Sequence, residues 1–168
     1  NTTGVSHIHK PPANFVAEQI RMLAADVRID AIKIGMIADA EIANAVAEEV
    51  GVLTNISVII DPVMIAKGGA PLIAKDAMSC LCDELVPLAD ILTPNLPEAA
   101  ALLNEKVALN KDDMVQQAKQ LLTLGPRAIY LKGGHFDGPD SPDLLMSKNE
   151  MRWFEAKRLK TKNTHGTG

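Results

Sequence analysis

Aromatic residues are scarce in this chain: three Phe, one Trp and one Tyr, 3% of 168 residues. Positive charge is not in excess either, since the formal net charge is −4 at pH 7. A nucleic-acid surface needs a basic patch interleaved with stacking side chains, so the two shortages exclude nucleic acid as an expected partner. No apolar run approaches the roughly 20 residues that cross a bilayer. The first residues also lack the basic-then-apolar design of a signal peptide. We therefore expect no membrane contact and a cytoplasmic location. Cysteine is limited to Cys80 and Cys82. Two positions apart in a helical pattern, they point to different faces and make neither a disulfide framework nor a zinc site. His7 and His9 have no further Cys, His or carboxylate cluster around them, which argues for surface residues rather than metal ligands. An initiator Met and an apolar first strand are missing at Asn1, so the chain reads as an internal piece.

The remaining composition, 47% hydrophobic and 23% charged, is that of a folded protein of one-domain length. Pro11 and Pro12 stand at a helix start, and Val16, Ile20, Leu23 and Val27 recur at spacings of four, three and four, predicting an amphipathic helix to about Asp26. A short apolar strand with one lysine follows over 31–35, then a helix from about Asp39 that carries Ile42, Val46 and Val50 and stops at Gly51. The β-branched run over 57–63 predicts a parallel strand covered on both faces, with Asp61 at its C-terminal end. Further expectations are a loop over 64–72 with Lys67 and Gly68-Gly69, a helix over 75–85, a strand over 90–93 and a helix over 96–103. A helix over 111–124 and a strand over 128–132 come next, then a polar loop over 136–142 and two antiparallel strands over 144–147 and 152–156. Strands alternating with helices imply one layered α/β domain, with a mainly parallel central sheet covered by helices on both faces. Ligands bind outside the C-terminal ends of such strands.

Met36, Asp61, Asn95 with Glu98, and Lys132 all fall at that edge. Magnesium on a nucleotide is held by one or two carboxylates, mostly through water, while the phosphates supply other oxygens. Asp61 and Glu98 suit that role, although Asp61 also reads as a cap before Pro62 and Glu98 as a first-turn acid favoured by the helix dipole. Lys132 is a point charge for phosphates or a lysine that snorkels to the surface. Met36 and Val63 are a pocket wall or ordinary core. The closing stretch, Lys162-Asn163-Thr164-His165-Gly166-Thr167-Gly168, offers alternate glycines where an anion can approach the main chain, or an ordinary Gly-rich turn.

Lys33-Ile34-Gly35-Met36, Asp61-Pro62-Val63-Met64 with Ala66-Lys67, Thr93-Pro94-Asn95-Leu96-Pro97-Glu98-Ala99, Lys132-Gly133-Gly134-His135 and the segment from Thr161 to Gly168 occur in that order. Together they resemble the hydroxymethylpyrimidine/phosphomethylpyrimidine kinases of thiamine biosynthesis, in the ribokinase-like superfamily. The resemblance covers the whole chain as a central segment of that domain, without the family's N-terminal strand and loop and its C-terminal helices. It implies ATP-dependent phosphorylation of 4-amino-5-hydroxymethyl-2-methylpyrimidine and then of its monophosphate, with ATP and Mg2+. Met36 and Val63 would line the pyrimidine pocket, and Asp61 and Glu98 would act on Mg-ATP. Asn95, Lys132 and Thr164 would serve the nucleotide. Gly166, Thr167 and Gly168 would form part of an anion hole, with the family's catalytic cysteine next in order. Gly68 stands where a serine is common. The family also implies a homodimer. The competing readings are a pyridoxal/pyridoxine kinase of the same superfamily, which shares Asp-Pro-Val-Met, and a non-catalytic nucleotide-binding relic. Ala66-Lys67 and His165 resemble the pyrimidine kinases.

Overall fold

The structure, a computed structural model, describes residues 7–64, 75–136 and 140–158. Helix α1 (Ala13–Asp26) follows the two prolines, with Pro12 at its N-cap. Proline is tolerated there because its missing N–H has no intrahelical partner to lose. Strand β1 (Ala31–Ile34) leads into α2 (Ala40–Gly51). Asp39 caps α2 by accepting the N–H of Ile42 at 3.0 Å, and Ile42, Ala43, Val46 and Val50 form its buried face. Gly51 is the last helical residue rather than the residue beyond the end; the left-handed position falls later, at Asn55. Only the first half of the α1 stripe is covered. Val16 and Ile20 pack on the core, whereas Leu23 and Val27 are exposed, because α1 packs chiefly along α2.

After β2 (Ser57–Ile60), α3 (Lys75–Cys80) widens into a π turn over Leu81–Leu85 and tightens to a 3-10 turn over Val86–Leu88. The expected helix over 75–85 is therefore two kinds of helix in succession, and a third extends it to Leu88. Both cysteines are free, and the Cys80 thiol donates to Asn44 Oδ1. Strand β3 (Ile91–Leu92) precedes α4 (Leu96–Leu103) and α5 (Lys111–Leu122), and β4 (Ala128–Leu131) then leads to the hairpin β5 (Asp140–Ser147) and β6 (Met151–Lys157). The segment over 136–142, expected to be loop, contributes its last three residues to β5, including Pro142.

The strands form one sheet in the order β1-β2-β3-β4-β5-β6, with β1 to β4 parallel and the hairpin antiparallel. Register places Ile34, Ile60, Leu92, Ile129, Leu131 and Leu144 on one face, all buried in a single cluster with side chains of α2, α4 and α5. The alternating residues Ile59, Ile91, Tyr130 and Leu145 are only half-buried, and Lys33 is exposed. Among the described residues, α2, α4 and α5 cover this one face of the sheet, within the layered α/β architecture that the alternating elements predict. Each right-handed crossover steps in the same direction along the sheet, so successive helices land on the same side.

This helical cover has a measurable signature. Leu92→Ala and Ile129→Ala, each removing a fully buried side chain, are expected to cost about 2–5 kcal/mol. Ile59→Ala, on the other face, is expected to cost less than half as much. Urea unfolding of the three variants checks the difference.

Candidate functional site

The ladder continues one step past each parallel strand. Asp61 N–H donates to Ile34 O at 2.8 Å, Thr93 N–H to Ile60 O at 2.8 Å, and Lys132 N–H to Pro94 O at 2.9 Å. These bonds fix the residue after β2, the segment after β3 and the residue after β4 side by side. The expected group of Asp61, Asn95, Glu98 and Lys132 is thereby assembled from three connections.

At its centre Asp61, 15% exposed, accepts from two lysines: Lys132 Nζ on Oδ1 at 2.9 Å and Lys33 Nζ on Oδ2 at 3.1 Å. Burial opposes ionisation of this carboxyl, yet the hydrogen bonds and charges of Lys132 and Lys33 outweigh it and hold Asp61 below the usual carboxylate range. The reading of Asp61 as a simple cap does not describe this arrangement. Lys132 is mostly buried, its side chain 22% exposed, so it is not a snorkelling surface lysine.

Asn95 and Glu98 form a capping box on α4. Asn95 Oδ1 accepts Glu98 N–H at 2.8 Å, and Glu98 Oε2 accepts Asn95 N–H at 2.8 Å. Glu98 is thus the first-turn acid of the plainer reading, while still lying close enough to Asp61 and Lys132 to feel both charges. It is 6% exposed, and burial pushes its carboxyl up, against the Asn95 backbone hydrogen bond and the Lys132 charge. Burial lowers His135, and the charges of Lys132 and Arg158 lower it further.

Met36, 42% exposed, lies just past β1, and half-buried Val63 closes a tight turn by donating its N–H to Asp61 O at 2.8 Å. Both therefore stand on chain segments flanking Asp61, neither fully in the core. Thr164, Gly166, Thr167 and Gly168, like Lys67 and Gly68, lie outside the described residues. No group of three or more His, Cys, Asp or Glu able to hold a metal occurs among the described residues. Asp61 and Glu98 alone fit a cation whose remaining oxygens come from water and phosphates, and not a protein-built cage. A hollow of about 640 Å3 lined in part by Leu122, Pro126 and Asn149 lies at the opposite sheet edge and contains none of the expected site residues.

Sequence reasoning named Lys33 only within a motif and assigned it no role. Its signal was a lone charge in an otherwise apolar strand. Gly133 was likewise read only as a turn, yet a Cβ there would fall 1.8 Å from Pro142 O.

Gly133→Ala is accordingly expected to force the turn after Lys132 off β5, at a cost of about 2 kcal/mol or more by thermal unfolding. A second prediction concerns pH. Because Glu98 is raised, its contribution to stability is complete below the unfolded carboxyl pKa and is lost as pH rises through the folded one. Glu98→Gln, which keeps a capping acceptor, is expected to melt at or above the parent temperature at neutral pH, with the advantage vanishing in acid. Asp61, being lowered, has the opposite sign: its contribution is present above the unfolded pKa and lost as pH falls through the folded one.

The whole chain, residues 1–168, matches the family described as phosphomethylpyrimidine kinase. The hydroxymethylpyrimidine/phosphomethylpyrimidine kinase of Escherichia coli K12 is 44% identical over the full chain, which spans 63% of that protein. The thiamine biosynthesis bifunctional protein ThiED of Geobacter sulfurreducens is 42% identical over the full chain, which spans 34% of it. Among solved structures, phosphomethylpyrimidine kinase from Clostridium difficile superimposes with a TM-score of 0.83 at 35% identity, over 92% of this chain and 66% of that one. Pyridoxal kinase from Bacillus subtilis in an ADP complex gives 0.84 at 27% identity, over 96% and 59%. With a family match along its entire length and a relative 44% identical throughout, the chain belongs to the phosphomethylpyrimidine kinase family.

Proposed function

We propose that this chain is the nucleotide-handling centre of a kinase that uses ATP to phosphorylate 4-amino-5-hydroxymethyl-2-methylpyrimidine and then its monophosphate. The observation that carries the reading is Asp61 held between Lys132 and Lys33, beside Glu98, at the edge where α/β sheets bind ligands. Phosphoryl transfer needs little covalent help from the protein; it needs the reacting oxygens in line and the spreading negative charge countered. Lys132, mostly buried and fixed through its own backbone, supplies a placed positive charge for the phosphates. Its release from Asp61 toward a phosphate exchanges one anionic partner for another.

Asp61 and Glu98 would hold magnesium through water, and the bound ion would neutralise phosphate charge during transfer. Asn95 fixes the start of α4 and with it the buried Glu98. Met36 and Val63, flanking Asp61, would meet the pyrimidine, while Thr164 and the glycines from Gly166 to Gly168 would complete the seat of the transferred group. A single kinase domain, a cytoplasmic location and a homodimer belong to the same proposal. The family match and the identity to the E. coli kinase favour the pyrimidine over pyridoxal.

The test offers hydroxymethylpyrimidine and pyridoxal in parallel to the full-length protein with Mg-ATP, and detects products by mass spectrometry. Pyrimidine mono- and diphosphate are expected. Pyridoxal phosphate alone would overturn the substrate, and no product from either, with ATP still bound, would replace the kinase by a nucleotide-binding relic.

A further inference from the structure

The hairpin β5–β6 is the antiparallel part of the sheet, and it contributes no residue to the cluster around Asp61. It instead grips the segment that follows Lys132. Gly133 N–H donates to Asp143 Oδ1 at 2.8 Å, and the other oxygen of that carboxylate accepts the Tyr130 hydroxyl at 3.1 Å. One side chain of β5 thus binds the chain on both sides of Lys132, at Tyr130 in β4 and at Gly133 beyond it. Burial, and then the Asp143 charge, push the Tyr130 hydroxyl up, so it remains a donor. From the end of β6, Arg158 Nη1 donates to Gly134 O at 2.9 Å, and Nη2 to Phe136 O and to Asp140 O at 3.4 Å. The turn itself is closed by Phe136 N–H on Gly133 O at 3.1 Å.

The hairpin is also secured elsewhere. Lys111 at the start of α5 pairs with Glu155, and its Nζ lies 4.9 Å from the Trp153 ring centre. On the opposite face Phe154 meets Tyr130, ring centres 5.8 Å apart. The absent side chain at Gly133 lets the two segments approach as closely as they do.

We infer that Asp143 and Arg158 are positioning residues, which hold the turn over 133–136 against the β5–β6 hairpin so that the Lys132 ammonium is presented at one fixed place to the nucleotide phosphates. This rests on the nucleotide reading of the site. A lysine on a four-carbon stem is a movable point charge, so the accuracy of its placement depends on how firmly its backbone is held. Pro94 O holds the Lys132 N–H from the β3 side, and Asp143 and Arg158 hold the next residues from the β5 side.

The experiment measures ADP affinity by titration calorimetry on the full-length protein, together with amide hydrogen exchange at Gly133. The variants are Asp143→Leu, Asp143→Asn, Arg158→Met, Arg158→Lys and Tyr130→Phe. Asp143→Leu is expected to weaken ADP about tenfold, the scale of one unmade hydrogen bond, and Arg158→Met, at an exposed residue, to weaken it by less. Gly133 exchange accelerates in Asp143→Leu while the core strands keep their protection. Asp143→Asn, which retains an oxygen acceptor, restores most of both effects. Tyr130→Phe, the mildest change, gives a smaller loss in the same direction. Variants that bind ADP as tightly as the parent overturn the inference, as does an affinity loss that follows melting temperature with no rescue by Asn or Lys. A parent protein that does not bind ADP overturns the nucleotide reading instead, and is recognised because no variant is needed to see it.

Discussion

A carboxylate largely withdrawn from water is tolerated only where cations or donors replace that water, and Asp61 meets the condition with two lysines, one in β1 and one just past β4. Lys33 is 65% exposed, so its pairing is screened and worth little by itself; Lys132, mostly buried, supplies the larger share. The pair of contacts joins β1, β2 and β4 at their C-terminal ends. One carboxylate between two ammonium groups leaves this cluster with a net positive charge. Such a cluster is poised for an incoming polyanion, because a phosphate can take over the role of the carboxylate toward Lys132.

Backbone register makes this arrangement precise. Parallel strands end in step, and a further hydrogen bond beyond each end carries the register into Asp61, Thr93 and Lys132. Side chains placed this way inherit the rigidity of the sheet and not the looseness of loops. The capping box at Asn95 and Glu98 extends the same principle to α4, where two reciprocal hydrogen bonds set the direction in which the helix leaves the edge.

Much of this was legible in the sequence, and for identifiable reasons. The bounds of α4 were readable because Asn95, Pro97 and Glu98 together spell a helix start. Asp61 and Lys132 were readable because each is a charge at the end of an apolar strand. The partnership of Lys33 with Asp61 was not, since it joins residues 28 apart whose proximity depends on which strands pair. The early start of β5 was hidden by Pro142, which usually argues against a strand. Pro142 is tolerated because β4 has already ended there, the last β4 pair being Leu131 with Leu144, so no partner requires its missing N–H. Which face the described helices cover depends on strand order, which hydrophobic periodicity does not encode. The π turn over Leu81–Leu85 has no signal in the sequence that we can identify.

Among the described strands, order in space repeats order along the chain. Each described strand after β1 therefore pairs with the one made immediately before it. Synthesis from the N-terminus can add the sheet one strand at a time, each new edge serving as template for the next. The charge cluster is the exception to this local growth: Asp61 emerges well before Lys132, 71 residues later, supplies its second cation. Until β4 docks, that carboxylate has Lys33 and water for company, so completion of the electrostatic centre marks the arrival of β4.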